Sequence, residues 1–408
     1  MTLPALDRPR LVRWRAAIFT LFLLCGVALA SWASRLPTIK TRLGIDDFQI
    51  GGLLFALGAG SLLGVMSANV IVARWGAKRG LSATVIGVSA GLLIAALAVD
   101  VLGAYPIAVT GLAFLGFCFG ATDVMMNVEA AAVEQEFGKT LMPLFHAFYS
   151  LGTVAGAGIG IPMAAWGVGV AWHLGAVAIL FAIVCTVALR FVPAHAARTE
   201  EGEHAASRGE RLRAALAVWR DPRTYAIGAI VLGMAFAEGS ANDWLTIAVV
   251  DGHHQKEATG AIFLTVFSVS MTAFRALGGP LVDRIGRVWT LRILSVTAGI
   301  GLIVFILAPN LPVAYIGVAL WGAGASLGFP LGMSAAADDP AKAAASVSAA
   351  ATIGYIAFLC GPPVLGWISH QIGILNTLWI IVALIAMSGF ASGAAKPIAG
   401  SKVGAGHH

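Results

Sequence analysis

The sequence predicts an all-α membrane protein, with twelve transmembrane helices in two pseudo-symmetric six-helix bundles. Three observations carry this. Of its 408 residues 59% are hydrophobic, and the mean hydropathy is +0.87. Apolar runs recur at the ~20-residue length that a bilayer span needs. A short basic loop recurs in the two halves, at Asn69–Gly80 and again around Gly286. A soluble chain this apolar would have too little polar surface left to face water.

The apolar runs place spans at 16–36, 47–72, 81–99, 104–134, 143–165 and 170–192, then at 223–249, 257–282, 288–308, 312–336, 343–369 and 373–394. The stretch between the sets holds RTEEGEHAASRGERLR and has no apolar run. The expected domains are therefore 1–192, a cytoplasmic linker 193–222, and 223–408. The linker's end, RLRAALAVWR, has the pattern of a short interfacial helix. KPIAGSKVGAGHH closes the chain as a polar tail. The first run has no small-residue cleavage site after it, so it reads as a span rather than a removable leader. Cys25, Cys118, Cys185 and Cys360 all lie in apolar runs and read as free thiols.

Orientation follows from the basic residues. With both termini cytoplasmic, the outward loops carry only Arg35, Lys40, Arg42 and Lys256 of the 26 Lys and Arg residues, and Arg275 lies within a span. That bias is the positive-inside pattern. It also accounts for the net charge of +6 without nucleic acid. No G-x-x-x-x-G-K-[ST] loop, serine elbow, H-E-x-x-H or metal-spaced Cys/His cluster occurs. An enzyme, an ATPase and a cofactor or metal site are therefore not expected.

The charged stretch GGPLVDRIGRVWT falls between spans 8 and 9. Aligned on Arg-x-Gly, it matches NVIVARWGAKRG between spans 2 and 3. Six spans, a linker, and six spans with a repeated loop indicate duplication. The spacing in GPLVDRIGR resembles the G-x-x-x-D-R-x-G-R loop of the major facilitator superfamily, and the resemblance covers the whole chain. The first-half copy departs from that pattern, with Asn69 in place of Gly and Ala73 in place of Asp. SWASRLPTIKTRLGI, DVMMNVEAAAVE, AEGSANDW and GYIAFLCGPPVLG are similar to the YbjJ-type bacterial inner-membrane carriers, and more distantly to fucose permease-like symporters. The resemblance implies a multi-pass inner-membrane transporter working by alternating access. Its partners would be a small-molecule substrate, protons and the lipid bilayer, and it would act as a monomer. It also implies that the loop of Gly279, Asp283, Arg284, Gly286 and Arg287 latches one state of the cycle. Asp283 would then accept hydrogen bonds from the first-turn amides of a neighbouring helix. The competing reading of the loop is topology alone.

An ionisable residue inside a span is a functional candidate by default. In span 4, Asp123, Asn127 and Glu134 fall within about 40° on one helical face, and Glu129 points the other way. Asp123 is placed near mid-depth, where a dehydrated carboxylate can bind and release a proton. Glu134 is placed near the cytoplasmic end, within reach of Arg74, Lys78 or Arg79, as a gating residue. In span 7, Glu238 and Asn242 share a face. Glu238 is the second proton-coupling candidate and, with Asn242, a substrate contact. Asp243 reads as a cap or outer contact. Arg275 lies about 12 Å deeper than Asp283 and needs an acid partner, Glu238 or Asp123, or else an anionic substrate group. His146 opens span 5 as a pH-sensitive gate candidate. Pro362 and Pro363 are expected to kink or interrupt span 11. Trp32, Tyr149, Trp321, Phe329 and Tyr355 are candidate cavity aromatics, although an aromatic in a span more often only packs.

The function expected is proton-coupled symport of a small polar organic solute. A drug/proton antiporter and a sensor that has lost transport are the alternatives.

Overall fold

The computed structural model describes residues 8–137, 141–193, 217–339 and 342–398. The linker from 194 to 216, most of the RLRAALAVWR stretch and the tail from 399 lie outside the described residues. The described residues are helical, with no strand among them, and twelve helices are long and apolar enough to cross a membrane.

The first half contains α1 (Arg8–Ser34), α2 (Leu36–Leu43), α3 (Asp47–Trp75), α4 (Ala77–Leu97), α5 (Tyr105–Phe137), α6 (Met142–Ala165) and α7 (Val170–Leu189). The second contains α8 (Pro222–Ile247), α9 (Glu257–Ala276), α10 (Gly278–Ile306), α11 (Leu311–Ala325), α12 (Gly328–Ala336), α13 (Ala343–Ile372) and α14 (Ile374–Ala391). Five-residue π turns extend α4 (Ala98–Leu102) and α8 (Ala248–Gly252). The sequence reading missed α2. Arg35 leaves helical geometry (φ −104°, ψ 0°), and Pro37 near the start of the next turn begins a new helix, which Gly44 ends at φ +63°.

The molecule divides into two compact units: Met1–Thr199 with Thr246–Thr265, and Glu200–Leu245 with Val266–His408. In the first, α3 and α5 cross so closely that Ala113 and Phe117 carbonyls face Gly60 and Gly64. A Cβ at either glycine would fall 2.0–2.1 Å from those oxygens. Between lipid-facing helices such close backbone approach replaces the hydrophobic drive available in water. In the second unit the core joins Ile227, Ile230 and Val231 of α8 to Leu291 and Leu294 of α10 and to Leu331 and Ala335 of α12.

The repeated loop is not a loop. Its second copy is helical on both sides of a single kinked residue, Gly286, at φ 76° and ψ 163°. Gly76 has nearly the same geometry, φ 76° and ψ 157°. Only glycine occupies that region without strain. Gly286→Ala is therefore expected to cost about 1–3 kcal/mol. The check is the melting temperature of the purified protein, with Gly158→Ala as the control, because a methyl there meets open space inside a helix.

Candidate functional site

The acids of α5 take three different partners. Asp123 is half-buried, and its Oδ1 accepts from the Asn127 side-chain amide at 3.3 Å. The same Nδ2 also donates to the Asp123 backbone carbonyl at 2.9 Å. This is the shared face that the spacing implied. Glu129, on the opposite side, is fully buried, and its Oε2 accepts from the Trp14 indole of α1 at 3.1 Å. Glu134 does not meet Arg74, Lys78 or Arg79. Its Oε2 accepts from the Leu141 and Met142 amides at 2.6 and 2.7 Å, capping α6. A helix start presents unpaired amides that attract an anion. Lys78 instead donates to the Val192 carbonyl at 2.7 Å.

In the second unit Arg275 of α9 reaches Glu238 of α8, Nη2 to Oε2 at 3.1 Å, and its Nε donates to the Ser326 carbonyl at 3.0 Å. Both side chains keep about a quarter of their surface (27% and 22%), so the pair borders open space. Asn242 is half-buried on the same helix. Asp243 is half-buried too. It lines a small cavity, with room for about one water, between α8 and α13, beside Pro362. The sequence reading had set it aside as an outer contact. The signal that pairs it with α13 is spatial, since the two lie more than a hundred residues apart; α13 itself runs unbroken through Pro362 and Pro363, where an interruption was expected, because the neighbouring turns keep the helix going around the missing amides.

Two aromatic expectations separate. Trp321 is completely buried. It packs edge-on against Phe267 at 5.5 Å and beside Phe305 at 6.2 Å, so it belongs to the core. Trp32 is likewise buried. Tyr149 and Phe329 are half-buried and Tyr355 is exposed. His146 is exposed, with its ring set edge-on to Phe22 at 5.2 Å.

The charged loop divides at its kink. Asp283 and Arg284 are exposed, and neither makes an ion pair or hydrogen bond among the described residues. The amide contacts expected of Asp283 are therefore not formed. Past Gly286 the chain turns inward. Arg287 is buried, with Nη2 2.5 Å from Asp338 Oδ2 and Nη1 donating to Ser334 Oγ at 3.2 Å. Arg223 of α8 joins the same Oδ2 at 2.9 Å and also donates to the Ala394 and Lys396 carbonyls. Sequence reasoning missed Asp338, which lies just past the end of the span expected at 312–336.

A second charged cluster lies in the first unit. Lys40 of α2 donates to Asp47 of α3 at 2.5 Å and to Asp251 in the π turn after α8. Thr38 donates to Glu257 of α9 at 2.5 Å. Burial pulls the Lys40 ammonium down, but its bonds to Asp251 and Asp47 outweigh this and hold it above the ordinary lysine value.

The comparisons now decide the family. The sequence profile described as Major Facilitator Superfamily matches residues 17–362 and 244–401. The chain belongs to the Major Facilitator Superfamily. As a superfamily member it is a multi-pass membrane transporter and not an enzyme. An uncharacterized MFS-type transporter of Yersinia pestis is 31% identical over 373 residues, covering 91% of this chain and 92% of that protein. The membrane protein MosC of Rhizobium meliloti is 25% identical, covering 89% and 85%. Among solved structures, a mutant of the nucleoside transporter NupG superposes with a TM-score of 0.77 at 16% identity, covering 95% of this chain and 100% of that one. The E. coli fucose:proton symporter FucP gives 0.64 at 16% identity, covering 96% and 100%. At that identity the structural likeness shows the superfamily fold alone.

Proposed function

We propose that this superfamily member is a proton-coupled secondary transporter of a small polar organic solute, working by alternating access in a bacterial inner membrane as a monomer. Both termini face the cytoplasm, and the chain acts as two six-helix halves, 1–192 and 223–408, joined by the linker 193–222. One observation carries the reading. Each half holds an ionisable group within a span and next to an amide or a cation, Asp123 with Asn127 and Glu238 with Arg275. In this reading Asp123 takes the coupling proton, and Glu238 with Asn242 and Arg275 contacts substrate. Tyr149 and Tyr355, each within its own unit, serve as further substrate contacts. That a solved neighbour is a fucose:proton symporter, and another a nucleoside transporter, supports a proton-driven polar solute as the class.

The Lys40 cluster serves as the outward latch, because Asp251 and Glu257 belong to second-half helices while Thr38, Lys40 and Asp47 belong to the first. Asp283, Arg284 and Arg287, with Gly279 and the Gly286 kink, serve the cytoplasmic latch of the second unit, and Glu134 and His146 serve as gating residues of the first.

The test is uptake into proteoliposomes with the outside acidic, across sugars, nucleosides, amino acids and organic acids. Accumulation above the outside concentration that collapses with a protonophore is expected for at least one class. Uptake that only equilibrates, or that is driven outward by the gradient, would remove the symport reading; the second result would leave antiport.

A further inference from the structure

One face of α10 is left uncovered in the second unit. Trp289, Ile293, Val296 and Ile300 recur at the spacing of a single helical face, and all are exposed. In a membrane span such a face meets acyl chains. Arg292 stands on the same face, also exposed, and inside the candidate span Pro280–Ile306. It lies six residues past the Gly286 kink, or about 9 Å along the helix. A guanidinium keeps its charge, so one on a lipid-facing surface calls for an anion.

The protein holds this group without neutralising it. Its Nε donates to the buried Ser392 Oγ at 3.1 Å, and its central carbon lies 5.1 Å from the centroid of the Trp289 ring. Its Nη1 and Nη2 make no hydrogen bond or ion pair among the described residues. A second cation follows closely. Lys396 ends the short turn Ser392–Ala395, whose first residue holds Arg292. Its backbone carbonyl accepts from Arg223 at 3.1 Å, while its ammonium is exposed and unanswered among the described residues. Gly393 in the same turn is exposed, and a Cβ there would meet nothing, so the surface at that turn is open. Neither α14 nor the turn carries an acid, and the acid of α10, Asp283, lies before the kink.

The repeat does not demand this arrangement. Ser82 stands as far beyond Gly76 as Arg292 does beyond Gly286, and its hydroxyl only donates back to the Lys78 carbonyl at 2.9 Å. Arg79 stands where the second copy has Trp289.

We propose that Arg292, Lys396 and Trp289 bind the headgroup phosphate of an anionic phospholipid, with an acyl chain lying along Ile293, Val296 and Ile300. A guanidinium with free terminal nitrogens suits phosphate oxygens, and a nearby lysine adds charge without geometric demand. Tryptophan favours the headgroup level of the bilayer, and basic clusters beside a span select anionic lipids. A zwitterionic lipid brings its own cation to two cations already there. A soluble phosphate compound leaves the apolar face uncovered. The bound lipid braces α10 against the turn that follows α14, whichever solute the transporter carries.

The experiment is a thermal-stability titration of the full-length protein, delipidated in a neutral detergent. Phosphatidylglycerol is compared with phosphatidylcholine of the same chains and with inorganic phosphate. A saturable rise in melting temperature is expected with phosphatidylglycerol alone. Arg292→Gln and Lys396→Gln are each expected to weaken its apparent affinity about fivefold. Arg79→Gln, which removes an exposed cation from the first unit, should leave that affinity within about twofold and so controls for net charge. If Arg292→Gln does not fold, Lys396→Gln carries the test, together with native mass spectrometry of phosphatidylglycerol retained by parent and variant. An equal rise with phosphatidylcholine, a response to inorganic phosphate matching that to the lipid, unchanged affinity in the Arg292 and Lys396 variants, or equal weakening in Arg79→Gln would each overturn the site.

Discussion

Asp338→Ala is expected to be the most damaging single charge removal in the second unit, at about 3–5 kcal/mol. The carboxylate is fully buried and answers two guanidiniums, Arg287 at 2.5 Å and Arg223 at 2.9 Å. Without it, Arg287 is left charged at 4% exposure with only the Ser334 hydroxyl. The measured quantity is the melting temperature in detergent. Arg223→Ala should lose less, because that guanidinium is a quarter exposed and water replaces part of the bond. Pairing Asp338→Ala with Arg287→Met should recover much of the loss, since an apolar replacement of a buried pair is often neutral. A single mutant that melts like the parent would show that the triad adds nothing to stability.

Asp123→Asn is expected to have the largest effect on transport. Asparagine keeps the length and polarity, so the Asn127 contact can persist, but it cannot carry a proton. Uphill, pH-driven uptake should fall to the level of empty liposomes, while counterflow, which needs only substrate exchange between the two faces, should continue. Glu238→Gln should instead lose both together, since it removes a substrate contact and leaves Arg275 without its acid. Uphill uptake surviving in both mutants would defeat this assignment and turn attention to Glu129, Glu134 and His146.

These two sites were legible in the sequence to different degrees, for a physical reason. Position along a helix follows directly from residue count, so the spans and the need of Arg275 for an acid could be read from the chain. The shared face of Asp123 and Asn127 also followed, because helical periodicity is local. What a side chain meets across a helix boundary is not local. Glu134 was assigned to nearby basic residues because charge suggested it, but unpaired amides at the start of α6 were closer. Asp338 and Asp243 were undervalued because their partners, or the lack of them, depend on which helices pack together. Trp321 illustrates the same limit in the core, where an aromatic facing Phe267 and Phe305 has the same sequence pattern as one facing a cavity. The kink at Gly286 was legible as a special glycine. That the segment around it would stay helical was not, because clustered charges usually mark a loop.

The bonds from Arg223 to the Ala394 and Lys396 carbonyls have a practical consequence. They fasten the last described turn, Ser392–Lys396, to the first turn of α8, so that turn is moored to the unit that carries Arg275 and Asp338. A fluorophore attached at exposed Lys396 would therefore report the movement of that unit. Cutting the chain back past Ala394 would cast off the mooring and leave a guanidinium with fewer bonds beside Asp338. Trimming for crystallisation should stop short of that turn.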